Sequence, residues 1–498
     1  MILFVTLLGL VLALGIYYIL GSYNEFYWKK RGVRFYSKNK LTGPLWEYII
    51  SNQPTFTIIH GIYKKYRKEP IVGIGQLFTP TFLVIDKQNI QHVLQSDFQA
   101  FNHRGTEISK SDVLNDNILF MHGLRWKLMR QNMTPLFTAA KLKDMYYILD
   151  KSAQDFMDYL KNDPLKLNNL FDTFSTFCSA AIGAAVFGIT TKSTFDSPFL
   201  KMSQDALAPT LKTNIKFTLT SLFPNAAKVF GLKFFGDHES FFIGAIKQVI
   251  RQREKEHVKK HDFADICVSL QKKGKLKDLD TGYELEPTDE ILAAQAFFFF
   301  LAGVEPTAAS LFATFLELGR LPDILEKVQN EIDNTFEKYN GQMTYEAIAE
   351  MEYVEKVYNE ALRMYPPIGI LTRQCVKDSV LPVGNIKVSK GTKIFIPVYS
   401  LHHDPETYPN PHVFDPERFA SDQSLSDISY MGFGKGNRLC IGMRYAKMQA
   451  KAGIVHLLRN FSPKTTVGKG GIQFSKQPIA VRPINVNVQL IPRKIKSY

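Results

Sequence analysis

Hydrophobic residues follow three patterns along the chain, and each pattern predicts a different kind of element. Residues 1–21 form an apolar run without a charged side chain, long enough at about 1.5 Å per residue to span a bilayer as a helix. Residues 142–272 repeat their apolar positions mostly with the period of an α-helix. Runs of apolar and β-branched residues at 71–78 and 81–86 predict two short strands. The chain is therefore expected to be mainly α-helical with a small β-rich lobe.

The last third of the chain completes this prediction. Residues 377–398 are typical of hairpin strands and residues 486–491 of a later strand, whereas residues 443–458 keep the helical period. Residues 99–122 are polar and irregular, which predicts a long loop. Loops of this length inside a compact protein are often functional.

The longest internal apolar segment begins after Thr288, where a hydroxyl followed by two acids provides a good helix start. Its length, residues 291–318, would allow a second membrane span. Gln295, Glu305 and Pro306 interrupt the apolar run, so we expect instead a buried core helix of about 30 residues.

At 498 residues the chain could hold several domains, but no Gly/Ser linker, repeat or low-complexity tract divides it. We therefore predict a transmembrane anchor over residues 1–21, a linker over 22–45 and a single catalytic domain over 46–498. The basic residues 29–31 follow the anchor, and this positive flank places the domain in the cytosol. A cleaved signal peptide is the alternative for residues 1–21, but a basic n-region is missing and the cleavage pattern is poor.

Net charge and cysteine usage narrow the partners and the compartment. The formal net charge is +14, which suits nucleic acid, an anionic membrane surface or an acidic protein partner. No nucleic-acid motif or arginine-rich run is present, so nucleic acid is not expected as a partner. The four cysteines are scattered without a disulfide-framework pattern, which suits a reducing compartment.

The candidate chemistry lies in a glycine-rich loop, residues 433–442, that carries one cysteine, Cys440. Glycine lets the backbone approach a flat ligand closely, and no second Cys or His stands at a spacing typical of a zinc site. A single thiolate in such a loop suits an axial ligand of haem iron, and a buried structural cysteine is the alternative. The loop resembles the haem-binding motif of the cytochrome P450 family, Phe-Gly-x-Gly-x-Arg-x-Cys-x-Gly, with every fixed position present.

This resemblance implies the cytochrome P450 fold, with haem b between a long central helix and the cysteine loop. Cys440 would ligate the iron, Phe433 would shield the sulfur, and Arg438 would reach a haem propionate. The other residues that match haem-pocket motifs of the family are Trp126, Arg130, Ala302, Gly303, Arg373, Gly434 and Gly442.

The resemblance also implies a buried ion network. Glu360 and Arg363 would pair with the later Arg418 and hold the cysteine loop in register, whereas an (i, i+3) surface pair is the alternative. The substrate-pocket candidates are Phe297, Phe300, Ala302 and Ile370. Aromatic residues at helical spacing more often belong to a core. The Phe- and Leu-rich stretch 208–235 would form a substrate lid that dips into the bilayer, or an ordinary amphipathic helix pair.

Glu305 and Thr307 are the expected catalytic residues of the central helix. The family usually places an acid and then a threonine here. This chain has Pro306 in the threonine's place and Thr307 one position later, about 100° further round the helix. Pro306 lacks a backbone donor and should kink the helix, at a cost of about 3 kcal/mol. Glu305 would then deliver protons through water, with Thr307 contributing only if the kink turns it inward. The enzyme should therefore release more peroxide per NADPH consumed than a family member with the usual threonine.

The implied function is a membrane-bound haem-thiolate monooxygenase that inserts one oxygen atom from O2 into a lipophilic small molecule. Electrons would come from NADPH through a cytochrome reductase, with a b-type cytochrome as a second donor, on the cytosolic face of the endoplasmic reticulum. Residues 134–143 resemble the insect and vertebrate drug-metabolising branch, which suggests an insect-type oxidase of xenobiotics or defence compounds. Two alternatives stay open: an O2-independent haem-thiolate isomerase or dehydratase, and a haem-binding protein without turnover.

Basic residues near the cysteine loop would guide the reductase. Lys435, Arg444 and Lys447 flank the loop, and Lys127 lies beside Trp126. An acidic flavin reductase would be steered to this proximal face, with an attraction that weakens as salt rises. The alternative for any one of these residues is a solvated charge without consequence.

Overall fold

Helices form along the periodic segments of the sequence, and the mainly α-helical prediction is confirmed. The computed structural model describes residues 2–162, 167, 169–188, 195, 201–202, 205, 210, 215–216, 219–220, 223, 225–256, 260, 262–421 and 425–494. In chain order the described helices are α1 (Ile2–Lys29), α2 (Pro44–Ile50), α3 (Thr55–Lys65), α4 (Lys87–Gln91), α5 (Gly123–Met133), α6 (Ala139–Asn162), α7 (Leu170–Phe187), α8 (Ala226–Val229), α9 (Glu239–Glu256), α10 (Phe263–Lys273), α11 (Asp289–Leu318), α12 (Pro322–Lys338), α13 (Tyr345–Glu350), α14 (Glu352–Met364), α15 (Val398–His402) and α16 (Met443–Asn460).

The strands form small sheets that pack beside the helices. They are β1 (Ile71–Ile74), β2 (Thr81–Val84), β3 (Leu276–Lys277), β4 (Glu284–Leu285), β5 (Leu371–Gln374), β6 (Ser379–Leu381), β7 (Ile386–Val388), β8 (Lys393–Ile396), β9 (Phe461–Val467), β10 (Gln473–Phe474), β11 (Pro483–Ile484) and β12 (Val486–Pro492). The largest sheet has the order β1-β2-β8-β5, with β2 and β8 parallel and the other pairs antiparallel. The strands expected at 71–78, 81–86 and 486–491 are present, as are hairpin strands within 377–398.

The central helix α11 is buried, as the sequence predicts. The Thr288 hydroxyl caps it by accepting a hydrogen bond from the Ile291 amide at 3.3 Å. The helix packs against α7, and the aromatic pairs Phe171–Phe312 and Phe174–Phe315 lie between them. By length and composition α1, α7 and α11 could each cross a membrane, but α7 and most of α11 are enclosed by protein. Pro306 lies in the interior of α11 without ending it.

The N-terminal helix differs from the prediction at its end. It continues past residue 21 to Lys29, and its last turns pack on the β lobe. The Asn24 side chain donates to the Leu77 carbonyl at 3.0 Å, and the buried Trp28 ring lies against Gly73, where a Cβ would overlap it. The segment 22–45 predicted as a linker is therefore packed against the β lobe, because Trp28 gains a buried apolar site there.

Two other long stretches follow the prediction where they are described. Residues 99–122 are irregular apart from a short 3-10 turn, Val113–Asn115, and an isolated β-bridge from His103 to Gln374. Much of the predicted lid, 208–235, lies outside the described residues. Its described part includes α8, followed by the exposed Phe230.

Candidate functional site

The cysteine loop, residues 433–442, is closed by turns that require glycine. Gly434 and Gly436 have φ angles of 76° and 71°, in the left-handed region that other residues rarely adopt. A Cβ on Gly436 would also overlap a neighbouring backbone carbonyl. The Cys440 amide donates to the Phe433 carbonyl at 3.0 Å. The loop thus returns the cysteine to its own start and fixes the direction of the thiol.

Cys440 is accessible although it lies deep in the protein. Its side chain is exposed, whereas Cys178, Cys267 and Cys375 are buried. Burial nevertheless raises the pKa of the Cys440 thiol, and the Gly442 backbone amide opposes this shift. An accessible thiol that is surrounded by protein indicates an internal space beside it.

The central helix presents one accessible face within its buried length. Ala302 is exposed, and Phe298 and Glu305 are partly exposed, although most of their neighbours are buried. These three residues follow the i, i+4, i+7 spacing of one helix face. The sequence indicated the phenylalanine run 297–300 as apolar wall but singled out Phe297 and Phe300, although the position of Phe298 four residues before Ala302 was a usable signal. We infer that this face lines the same kind of internal space as Cys440.

The predicted pocket aromatics belong instead to the core. Phe297 is 1% exposed and its ring packs against Phe242 at a centroid distance of 4.7 Å. Phe300 is fully buried and packs against Phe187 and Phe242. Ile370 is also buried, in the core of the β lobe. The structure thus places these three residues in the core, since residue type alone does not tell which side of a buried helix or strand faces a cavity.

Four arginines lie together beside the cysteine loop. Arg438, which belongs to the loop, is buried and makes the most hydrogen bonds to backbone carbonyls. It donates to the carbonyls of Asn102, Ile118 and Met121 at 2.8, 3.2 and 2.7 Å. Its guanidinium also lies over the Trp126 ring, 4.3 Å from the centroid, which is a cation–π contact. These contacts fix the direction of the guanidinium but do not neutralise it.

The other members are Arg104, Arg130 and Arg373. Arg130 donates to the Leu439 carbonyl at 2.9 Å, and Arg373 donates to the carbonyl of Thr372 at 2.8 Å. The Nε groups of Arg104, Arg373 and Arg438 are buried without a hydrogen-bond partner. Within the described part of the chain, no salt bridge joins any of the four to a carboxylate.

Burial and the repulsion between like charges lower pKa values within this arginine cluster. Burial, together with the guanidinium groups of Arg104, Arg373 and Arg130, lowers the pKa of Arg438 to about 8. Burial and Arg104 lower the pKa of Arg373 to about 9. Burying unpaired charge is unfavourable, so the cluster is suited to an anionic ligand that would neutralise it. Sequence reasoning missed Arg104, because it lies in the irregular loop where no periodicity predicts neighbours.

Comparison with known proteins agrees with this geometry. The sequence model of the cytochrome P450 family matches residues 41–490. The chain belongs to the cytochrome P450 family. It is 30% identical over 494 residues to cytochrome P450 6B7 of Helicoverpa armigera, which covers 95% of both chains. It is 31% identical over 508 residues to cytochrome P450 6A1 of Musca domestica, which covers 98% of both chains. It is 32% identical over 466 residues to cytochrome P450 6B1 of Papilio polyxenes, which covers 91% of this chain and 92% of that one.

Membership makes the protein a P450 monooxygenase with cysteine-ligated haem b, and the resemblance to the insect branch is confirmed. The residues present fit that cofactor. The accessible Cys440 thiol suits the iron, and a positive cluster with three free Nε donors suits two propionates. When bound, haem b supplies O2 activation and oxygen transfer, and the thiolate tunes its electronics.

The structure brings the predicted ion network together. Arg363 donates to Glu360 through Nε and Nη2 at 2.7 and 2.8 Å, and both side chains are fully buried. Arg418 Nε lies 3.5 Å from the same carboxylate. Arg363 also donates to the His402 carbonyl, and His402 Nε2 accepts from the Met431 amide at 2.8 Å. Through His402, this P450 links the network to the residue two positions before Phe433.

Two residues of the central helix lie differently from the prediction. A Cβ on Gly303 would overlap Ile182 of α7. The structure therefore shows this glycine at a close contact between two helices, whereas the sequence predicted a contact with haem. Thr307 is 3% exposed, and its carbonyl accepts from the Ser310 hydroxyl, which bonds Tyr358. Five residues at about 100° each place it about 140° from Ala302. The structure therefore does not bring Thr307 to the accessible face.

The proximal basic face is smaller than the sequence suggests. Lys447 pairs with Glu355 at 2.7 Å, and Lys127 pairs with Asp278 at 2.8 Å. Lys435 is half-buried and donates to a backbone carbonyl, and Arg444 is exposed. Two of the four predicted charges are thus neutralised within the protein, which sequence spacing could not reveal.

Proposed function

We propose that this P450 is a membrane-anchored monooxygenase of lipophilic small molecules, with xenobiotics or defence compounds as the substrate class. The observation that carries the proposal is the accessible apolar face of Phe298 and Ala302, on the helix that crosses the haem's oxygen-binding side in this family. Apolar walls with few polar groups suit a lipophilic substrate. The similarity to P450s of insects is the second ground for proposing this substrate class.

The test uses purified full-length protein, NADPH, a cytochrome reductase and a panel of lipophilic compounds scored by product mass spectrometry. Products that carry one added oxygen and require both O2 and NADPH would support the proposal. Conversion that requires neither would favour the isomerase or dehydratase. Substrate-induced spectral shifts with every compound and product with none would favour a haem-binding protein without turnover.

We further propose roles for the pocket residues. Cys440 ligates the iron, and Arg438, Arg130 and Arg373 bind the propionates, with Trp126 beneath the Arg438 guanidinium. Arg104 joins them as a residue that the sequence motifs did not indicate. Glu360, Arg363 and Arg418 hold the cysteine loop in register from behind. The free Nε groups and the absence of any salt bridge to the four pocket arginines in the described chain support this division.

Proton delivery depends on Glu305. Burial raises the pKa of this carboxyl group, and Arg482 opposes the shift. A raised pKa suits a group that both holds and releases a proton. Pro306 has no hydroxyl to pass the proton on, and Thr307 lies on another side. We therefore expect NADPH consumption to be poorly coupled to product formation, with part of the activated oxygen released as peroxide.

Pro306→Thr should raise the amount of product formed per NADPH consumed, whereas Thr307→Val should change this ratio little. Abolished turnover in Thr307→Val would contradict this expectation.

The membrane arrangement is a single N-terminal anchor in the endoplasmic reticulum with the catalytic domain in the cytosol. Helix α1 exposes apolar side chains from Phe4 to Ile19, and its last turns are fixed to the domain by Asn24 and Trp28. Deletion of residues 2–21 should release part of the protein from membranes with its haem retained. Extraction of the full-length protein by alkaline carbonate would contradict a spanning helix.

Electrons reach the site from NADPH through a cytochrome reductase, with a b-type cytochrome as a second donor. The docking face is proposed around Arg444 and Lys435, since Lys447 and Lys127 are paired. Charge reversal at Arg444 should raise the reductase concentration that gives half-maximal rate at low salt. Reversal at Lys127 is the matched control and should have the smaller effect.

A further inference from the structure

The central helix carries a buried glutamine whose hydrogen bonds leave the helix. Gln295 is fully buried. Its Oε1 accepts from the Ile118 amide at 2.9 Å, and its Nε2 donates to the carbonyls of Asp116 and Ile291, both at 3.0 Å. An amide side chain has two donors and one acceptor oxygen, so its donors are both used. Two of its three bonds hold the long irregular loop rather than α11 itself.

The same loop segment, residues 116–121, also holds Arg438. The Ile118 N–H donates to Gln295 Oε1 at 2.9 Å, and the Ile118 carbonyl accepts from Arg438 Nη1 at 3.2 Å. The Met121 carbonyl accepts from Arg438 Nη2 at 2.7 Å. One residue of the loop therefore connects the distal helix with an arginine of the proximal cysteine loop.

We propose that Gln295 is a positioning residue for the haem propionates, acting through the loop segment 116–121 on Arg438. This rests on the proposed propionate role of Arg438. Arginine has a long flexible side chain, and backbone carbonyls set the direction of this guanidinium while its Nε stays free. Without the Gln295 amide, the buried Ile118 N–H and the partly buried Asp116 carbonyl would lose their partner, and the loop would move to satisfy them.

The first test compares Gln295→Met with Gln329→Met in full-length holoprotein. Gln329 is a matched control on α12. It is buried, and its Nε2 donates to the carbonyls of Leu458 and Phe461, both at 3.3 Å, and to the Ser462 hydroxyl at 3.0 Å, but in the described chain none of these partners bonds Arg438. Haem loss to an excess of apomyoglobin is followed by absorbance. Gln295→Met should lose haem roughly tenfold faster than the wild type, the effect of about one buried hydrogen bond, and Gln329→Met within about twofold.

The second test asks whether Gln295 acts through Arg438. In an Arg438→Lys background, Gln295→Met should add little to the rate of haem loss, because the guanidinium it positions is gone. A full additive effect would overturn the proposal, as would equal rates for the two glutamine variants. If Arg438→Lys alone keeps the wild-type rate, the propionate role of Arg438 fails instead. Should Gln295→Met not yield folded holoprotein, Gln295→Glu, which keeps the acceptor for Ile118, replaces it in both tests.

Discussion

The protein buries arginine in two opposite ways. Around Glu360, the Arg363 guanidinium is fully enclosed and makes two short bonds to a carboxylate. Around Arg438, four guanidinium groups lie together with no salt bridge to any of them in the described chain, and Arg438 itself contacts only loop carbonyls and an aromatic face among polar and aromatic partners. Both sites lie close to the cysteine loop, and both match family motifs. They differ in whether the protein itself supplies the counter-charge.

This difference separates a structural site from a ligand site. A buried charge that the chain neutralises can fold and hold geometry without help. A buried cluster of like charge is unfavourable until an anion arrives, so part of the binding free energy of that anion becomes folding free energy. The arginine cluster should therefore limit the stability of the apoprotein and favour the haem-bound form, whereas the Glu360 network should stabilise both.

The largest expected effect tests whether the anion is haem held by Cys440. Cys440→Ala should abolish the red-shifted Soret band of the carbon monoxide complex, because the thiolate ligand is gone. Cys375→Ala is the matched control, since Cys375 is buried in the β-lobe core after β5 and its Sγ donates to the Lys377 and Val388 carbonyls. A native spectrum in Cys440→Ala would contradict the assignment.

Removing the negative charge of Glu360 from the buried ion network should have the second-largest effect. Glu360→Gln leaves Arg363 buried without a full negative partner, and breaking such a pair costs about 3–5 kcal/mol of unfolding free energy. Thermal unfolding and the yield of holoprotein measure it. Glu350→Gln, which breaks an exposed pair with Lys338, should change little. Equal losses in both variants would show that the Glu360 network has no special role.

Acid should weaken the paired network through His402. Burial and Arg363 lower the pKa of this imidazole to about 3, so the unfolded chain binds the proton first as the pH falls below about 6.5. Unfolding free energy from this group should fall by about 2 kcal/mol between pH 7 and pH 5. Protonation would also set an N–H against the Met431 amide. Urea unfolding of the wild type and of His402→Asn measures it; the variant should show the flatter pH dependence.

The smallest expected effect tests the arginine cluster, whose charges have no carboxylate partner in the described chain. Arg104→Gln should leave apoprotein stability unchanged or slightly higher, because a repulsive charge is removed. The same variant should lose haem roughly tenfold faster, the effect of one charge-assisted hydrogen bond of about 1.5 kcal/mol. Apoprotein unfolding and haem transfer measure the two results. A variant that destabilises the apoprotein as Glu360→Gln does would remove the distinction between the two sites.

The sequence by itself determined the family, the cofactor and most helices and strands, and it indicated Cys440 as the proposed axial ligand. These depend on local pattern: apolar periodicity, helix caps and a ten-residue motif whose glycines meet their own backbone requirements. It also indicated Arg438, Arg373, Arg130 and the Glu360 network, since each lies in a motif.

Only the tertiary structure decided which buried groups are neutralised and which faces are accessible. Lys447 and Lys127 find carboxylates from other elements, Arg104 joins the cluster from an irregular loop, and Phe298 rather than Phe297 lies on the accessible face. The physical reason is the same in each case. Burial and pairing depend on neighbours that are distant along the chain, and no local period specifies them.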